Sequence, residues 1–308
     1  MFCTRKVNDD YTWVGADGRR LAMFEGVYDV PRGVSFNSYL LTDGKTVLFD
    51  TADASVCRVF LENVAHGLNG RALDYLVVQH MEPDHAANVA NFLKVYPETT
   101  IVANAKTFTM IQNFFGLDLE GQKLEVTNGG TLNLGNHNLT FVFAPMVHWP
   151  EVMVTYESSE KILFSADGFG KFGALDVDED WSCEARRYYF NIVGKYGLPV
   201  SNVLKKAGKL DIKTIYPLHG PILSDEIPEV LRLYTIWSSY EPEDEGVFIA
   251  YASMHGNTAE AARKMKEILE EKGAKVAISD LSRSDMAKNV ENAFRYSTLL
   301  SMAPSYDG

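Results

Sequence analysis

The chain has 308 residues, 46% of them hydrophobic, and a formal net charge of −12 at pH 7. That hydrophobic fraction is ordinary for a packed globular protein, the length suits two domains, and the acidity argues against nucleic acid or an anionic membrane as partner. No run approaches the roughly 20 apolar residues of a membrane span, and the opening MFCTRKVNDDYTW lacks an apolar signal core. Cys3, Cys57 and Cys183 are scattered, with no C-x-x-C pairing. They point to a reducing cytoplasm and no disulfide framework.

In chain order, strands are expected over 46–50, 73–78, 100–103, 139–143, 152–156, 162–164 and 212–216, each an apolar or β-branched run ended by a turn signal. A helix is expected from 85 to 95 with Asp84 as its N-cap. Residues 240–246, Tyr-Glu-Pro-Glu-Asp-Glu-Gly, read as a solvated linker. The pattern then changes. A buried parallel-type strand over 247–251 is followed by the turn Ser253-Met254-His255-Gly256-Asn257-Thr258, a helix over 259–272, and strands over 274–278 and 298–302. Two units result, 1–240 and 247–308, and the second has parallel-sheet spacing. Its turn Ser253–Thr258 carries small hydroxyl residues and backbone N–H groups to a helix N-terminus, where a phosphate can be held without a lysine. No G-x-G-x-x-G or G-x-x-x-x-G-K-[ST] loop occurs.

Residues 80–85, His-Met-Glu-Pro-Asp-His, carry the chemistry. Pro83 favours an extended residue before it, so His80, Glu82 and Asp84 are expected on one face at period two, with His85 opening the helix. Three further strand ends present one candidate ligand each: His148 after 141–147, Asp167 after 162–166, and His219 after 212–218. One such residue alone is more often a core or capping group. Four segments repeating the pattern make a metal site the better reading, and an imidazole–carboxylate set suits iron or manganese better than an all-imidazole one.

The order H-x-x-x-D-H, His, Asp, His resembles the metallo-β-lactamase-like fold, an αββα sandwich. With Glu82 in the third motif position, the H-x-E-x-D-H version is similar to flavodiiron proteins. The words Gly33-Val34-Ser35-Phe36-Asn37-Ser38-Tyr39-Leu40 and Ser165-Ala166-Asp167-Gly168-Phe169-Gly170 carry the same resemblance. The resemblance implies one iron on His80, Glu82 and His148, a second on Asp84, His85 and His219, and Asp167 bridging them. It implies a partial flavodoxin-like doubly wound sheet after the sandwich, giving an α/β (α+β) chain. FMN would bind there through Ser253, Met254, His255, Gly256, Asn257 and Thr258, with Ala303-Pro304-Ser305-Tyr306-Asp307-Gly308 as the next loop, beside the flavin ring.

Many members carry F-H-G near the diiron centre. The matching stretch here, Phe24-Glu25-Gly26, puts Glu25 in the proton donor's place. Trp149, Tyr188 and Tyr189 are candidates for shaping a dry pocket. The implied activity is reduction of dioxygen to water or of nitric oxide to nitrous oxide, with electrons from a rubredoxin-like or flavin reductase donor passing through FMN. The implied assembly is a head-to-tail homodimer or a dimer of dimers. The alternative is a hydrolase of the same fold using a metal-bound hydroxide. A flavodoxin-like domain has five strands. About three are expected here, with one helical crossover complete, so a chain ending at Gly308 is expected to fold its first 240 residues and hold FMN weakly.

Overall fold

The computed structural model describes residues 2–305. Alternation along the strands explains the layering. In Thr46–Phe49, Val47 and Phe49 point to one core while Leu48 points to another. The inner core lies between two sheets and collects Tyr11, Tyr39, Val77 and Val102 from one, with Leu139, Phe141, Met153 and Phe164 from the other. Phe49 and Phe164 stack across it with ring centroids 3.8 Å apart. Side chains on the outer faces, Leu48, Leu76 and Ile101 on one sheet and Val154, Leu163 and Ile215 on the other, pack under helices. Those helices include Cys57–Leu68 and Ala105–Phe115 on the first sheet, and Gly197–Ala207 and Ile227–Ser239 on the second. This is the expected αββα sandwich.

The first sheet runs Arg5–Lys6, Tyr11–Trp13, Tyr39–Thr42, Thr46–Phe49, Tyr75–Val77, Thr100–Ala103 and Lys123–Glu125 in spatial order. The second runs Thr131–Asn133, Asn138–Phe143, Met153–Glu157, Ile162–Phe164 and Thr214–Tyr216. Strand direction matters for function. The carboxyl ends of Thr46–Phe49, Tyr75–Val77, Ile162–Phe164 and Thr214–Tyr216, together with the loop between Asn138–Phe143 and Met153–Glu157, all open on one edge of the sandwich. Backbone bonds stitch that edge: Met153 N donates to Gln79 O (3.1 Å), Leu218 N to Ala166 O (2.9 Å) and Asn37 N to Leu218 O (2.8 Å).

Three local expectations need correction. The helix expected over 85–95 is two, Pro83–Ala86 and Val89–Val95. Pro83 begins the first because its fixed φ suits the opening helical position. Glu82, not Asp84, is therefore the N-cap, and Asp84 lies inside the first turn. The break falls at Asn88, whose amide donates to Ala52 O (2.6 Å) and Asp53 O (3.1 Å). The stretch 240–246 is largely exposed, as expected, but it is pinned at one point and is not a free linker. Glu243 N donates to Arg295 O, its carboxylate meets Arg186, and strand Asp244–Tyr251 begins within it.

The third correction concerns the C-terminal sheet. It has spatial order Val276–Asp280, Asp244–Tyr251, Tyr296–Met302, all parallel. Both crossovers are helical, Asn257–Glu271 and Met286–Arg295, where one was expected to be complete. The second helix packs on the sandwich: Phe294 stacks on Phe190 (4.7 Å), and the Asn191 amide donates to Ala287 O (3.0 Å). No helix among the described residues is long and apolar enough to cross a membrane.

Candidate metal centre

Each of the seven residues singled out in the sequence reaches the open edge, and they divide into two groups, His80, Glu82, His148 and Asp167, and Asp84, His85 and His219. In the first, His148 Nε2 lies 2.9 Å from Glu82 Oε2 and 3.1 Å from Asp167 Oδ2, and His80 Nε2 lies 3.3 Å from both. In the second, His85 Nε2 is 3.2 Å from Asp84 Oδ2, 3.1 Å from His219 Nε2 and 3.2 Å from Asp167 Oδ1. Asp167 thus turns one carboxylate oxygen to each group. His80, Glu82 and Asp84 do not share one extended face, because Asp84 sits on the helix and its carboxylate turns to the second group.

All seven side chains are buried. Buried polar atoms are almost always hydrogen-bonded, yet both carboxylate oxygens of Asp84, Oδ1 of Asp167 and Nδ1 of His85 have no hydrogen-bond partner among the described residues. Two imidazole nitrogens facing each other at 3.1 Å make at best one poor hydrogen bond. Contacts near 3 Å between converging donors are what two cations with bonds of about 2.0–2.2 Å would draw together. Three carboxylates and four imidazoles leave two divalent ions nearly compensated. The residues fit a dinuclear centre.

Without metal, protons take the cations' place. Burial alone would lower the ionisation of His80 and His85, but Asp167 beside the first and Asp84 beside the second outweigh it, lifting His80 well above its usual value and His85 to about 10. His148 rises to about 9 for the same reason, against burial, through Asp167 and Glu82. Metal uptake must therefore displace imidazole protons, and loading should fall steeply as pH is lowered.

Sequence reasoning missed the groups that aim the imidazoles. Glu151 Oε1 sits 2.9 Å from His80 Nδ1 and also accepts from Met81 N (2.9 Å). His219 Nδ1 donates to Ser35 O (2.6 Å). Asp50, whose carboxyl burial pushes up, accepts from Gln79 N (2.8 Å) and from the Gln79 amide (2.9 Å), holding the loop that carries His80. A carboxylate three residues after His148 was the only sequence trace of Glu151. The Asn37 side chain donates to Pro217 O (2.9 Å) and Gly220 O (2.8 Å), so the word containing Ser35 and Asn37 exists to place the His219 loop.

Of the aromatic candidates, Trp149 stands edge-on to His80 at 5.4 Å and Tyr188 is 5.5 Å from His219, both centroid to centroid. Tyr188 is fully buried with an unpartnered hydroxyl. Tyr189 faces away, toward Tyr234 and Trp237 (5.0 and 5.3 Å), and is core. Glu25, at φ 51°, lines the cleft mouth with Leu21, Met23, Asp53, Glu82 and Asp84. Desolvation in the cleft, then repulsion by Glu82 and Asp84, push its carboxyl up to about 9.

The second predicted site is also assembled at strand ends. Ser253–Thr258 follows Asp244–Tyr251, and Ala303, Pro304 and Ser305 follow the adjacent parallel strand Tyr296–Met302. Ala252 N donates to Met302 O (3.0 Å), which brings the loops side by side. Gly256 caps helix Asn257–Glu271 at φ 92°, where no side chain caps the helix and, among the described residues, nothing lies within 4 Å of where a Cβ would stand, and Met254, His255 and Asn257 are exposed around it. Tyr306, Asp307 and Gly308 lie outside the described residues.

Comparison with known proteins follows the same lines. The model of the ODP family beta lactamase matches residues 34–220. An uncharacterised protein of Methanocaldococcus jannaschii is 30% identical over 289 residues, covering 92% of this chain and 72% of that protein. The anaerobic nitric oxide reductase flavorubredoxin of Escherichia coli is 32% identical over 302 residues; the match covers 94% of this chain and spans 63% of the relative's length. The structure of rubredoxin oxygen:oxidoreductase from Desulfovibrio gigas superposes with a TM-score of 0.92 at 26% identity, over 99% of this chain and 78% of that one.

Proposed function

We propose, for a chain that belongs to the ODP family of beta lactamases, an oxidoreductase that reduces dioxygen to water or nitric oxide to nitrous oxide at a diiron centre. The observation that carries this is Asp167, whose two oxygens face two separate imidazole–carboxylate groups. His80, Glu82 and His148 would hold one iron, Asp84, His85 and His219 the other, with Asp167 between them. The irons would supply electrons and open positions for a diatomic ligand. The chain's own part is orientation and exclusion. Glu151 and Ser35 O fix the tautomers of His80 and His219, Trp149 and Tyr188 line the pocket with aromatic rings, and Glu25 stands at its mouth as a candidate proton donor.

Residues 1–240 are read as the metal domain and 247–308 as the N-terminal part of a flavin domain. FMN would sit on Ser253–Thr258 and the loop from Ala303, supplying single electrons drawn from a rubredoxin-like or flavin reductase donor. In a head-to-tail dimer, one subunit's flavin would serve the other's metal centre. The three scattered cysteines, all free, support a cytoplasmic setting.

The test is anaerobic loading with two equivalents of ferrous iron, then turnover of dioxygen and of nitric oxide with electrons supplied artificially. Consumption of either gas, lost in His148→Ala, supports the reading. Hydrolysis of a thioester or lactam by the zinc-loaded chain, without gas turnover, would overturn it in favour of a hydrolase.

Two further outcomes are expected. Glu151→Gln weakens metal retention roughly 10–100-fold, as loss of an outer carboxylate does, measured by competition with a chelator. Gly256→Val forces a β-branched residue into the left-handed region at a cost of about 1–2 kcal/mol, so flavin affinity falls about tenfold in a fluorescence titration. Unchanged affinity would remove that loop from the flavin site.

A further inference from the structure

At the opposite end of the same strands, four turns converge: those before Tyr11–Trp13, between Tyr39–Thr42 and Thr46–Phe49, between Thr131–Asn133 and Asn138–Phe143, and between Met153–Glu157 and Ile162–Phe164. They bring together Asp10, Asp43, His137 and Glu160. We propose that Asp10, His137 and Glu160 form a third metal site, for one zinc ion, that ties the two sheets together at the end remote from the dinuclear centre. The proposal is independent of the function given above.

The imidazole is prepared as a ligand. Its Nδ1 lies 3.0 Å from Asp43 Oδ2, and that oxygen also accepts from Asn136 N (2.6 Å) and His137 N (3.0 Å). The carboxylate with these donors is an acceptor only, so Nδ1 carries a proton and Nε2 is the atom left to bind a metal. A histidine that donates its far nitrogen to a carboxylate is the common arrangement around protein-bound metals. Nε2 faces Glu160 Oε1 at 3.5 Å and Asp10 Oδ2 at 3.7 Å. Charge-assisted N–H···O bonds close to about 2.7–2.9 Å, and neither contact does. Ligand atoms bonded tetrahedrally to zinc at about 2.0–2.1 Å stand roughly 3.3 Å apart, close to what is seen. The other Glu160 oxygen accepts from the Asn8 amide (2.5 Å), which holds the carboxylate in place.

A second observation points the same way. Tyr11 is wholly buried, packs edge-on to the His137 ring at 5.6 Å, and its hydroxyl has no hydrogen-bond partner among the described residues. A water completing the metal's coordination would give it a partner. His137 is 3% exposed, whereas the Asp10 and Glu160 side chains are 45% and 34% exposed, so an ion can enter from solvent.

The experiment uses the full chain loaded with two irons, dialysed against zinc and then buffer, with iron and zinc counted separately. The expected result is one retained zinc per chain and a zinc-edge absorption spectrum of one imidazole with oxygen ligands. Asp10→Asn, a change at the surface, should weaken zinc binding at least tenfold without altering iron content or circular dichroism. His137→Gln should abolish it. Zinc should raise the wild-type melting temperature and leave that of His137→Gln unmoved. Retained zinc that both variants keep undiminished, or no zinc beyond what the dinuclear centre takes, would overturn the proposal. Should zinc displace iron at that centre, the difference between wild type and Asp10→Asn still decides the third site.

Discussion

Asp167→Ala is expected to empty both metal positions at once. One side chain faces both groups, with Oδ2 toward His80 and His148 and Oδ1 toward His85. Removing it leaves each ion with three protein ligands and nothing between two like charges. The loss in affinity should exceed the roughly 10–100-fold that follows removal of an outer partner, and turnover should vanish. Metal analysis after gel filtration reads the result directly. Retention of one ion at full occupancy would mean that Asp167 serves one metal only, and the bridging assignment would fall. Circular dichroism should be unchanged, because the contacts of Asp167 are to the other ligands of the centre and not to the backbone of a strand or helix.

The second large effect concerns stability. Arg186 is 2% exposed and bonds two carboxylates, with Nε to Glu243 Oε2 at 2.6 Å and Nη1 to Glu291 Oε1 at 3.0 Å. It also lies over the Trp237 ring at 5.8 Å. Glu243 belongs to the segment entering the C-terminal sheet and Glu291 to the helix Met286–Arg295, so one guanidinium clamps that unit to the sandwich. Breaking a buried ion pair from one side typically costs 3–5 kcal/mol, because the partner charge stays buried and uncompensated. Lys288 Nζ still reaches Glu291 Oε2 at 2.7 Å, and Trp237 Nε1 still donates to Glu243 (2.8 Å). Arg186→Met is therefore expected near the lower end, about 3 kcal/mol. Denaturant midpoints measure it, and hydrogen exchange should locate the loosening in residues 244–302. A cost under about 1 kcal/mol would show that apolar packing, chiefly Phe294 on Phe190, holds the unit instead.

How much of this was legible beforehand follows from where each signal is stored. The ligand set could be read because its residues stand at the ends of apolar strands, and strand ends are marked locally by hydrophobic runs and turn residues. The αββα layering could be read for the same reason, since period-two alternation is a property of neighbours in sequence. The break at Asn88 could not, because it depends on carbonyls of Ala52 and Asp53, far along the chain. Composition marked 240–246 as solvated, but could not show that Arg186 and Trp237, brought in by the fold, hold Glu243.

The sequence by itself determined which side chains would meet at the open edge and that carboxylates would share the work with imidazoles. The resemblance implied how they divide, and the tertiary structure supplies the physical means. Pro83 turns the chain into a helix one residue after Glu82, which sends Glu82 to one group and Asp84 to the other. Tertiary structure alone showed what aims them, because the Ser35 carbonyl that accepts from His219 is a backbone group that every residue possesses. It alone brought Asp10, Asp43, His137 and Glu160 to one point. Each sits on its own turn, tens of residues from the next or opposite it across two sheets, and only the closing of the sandwich makes them neighbours.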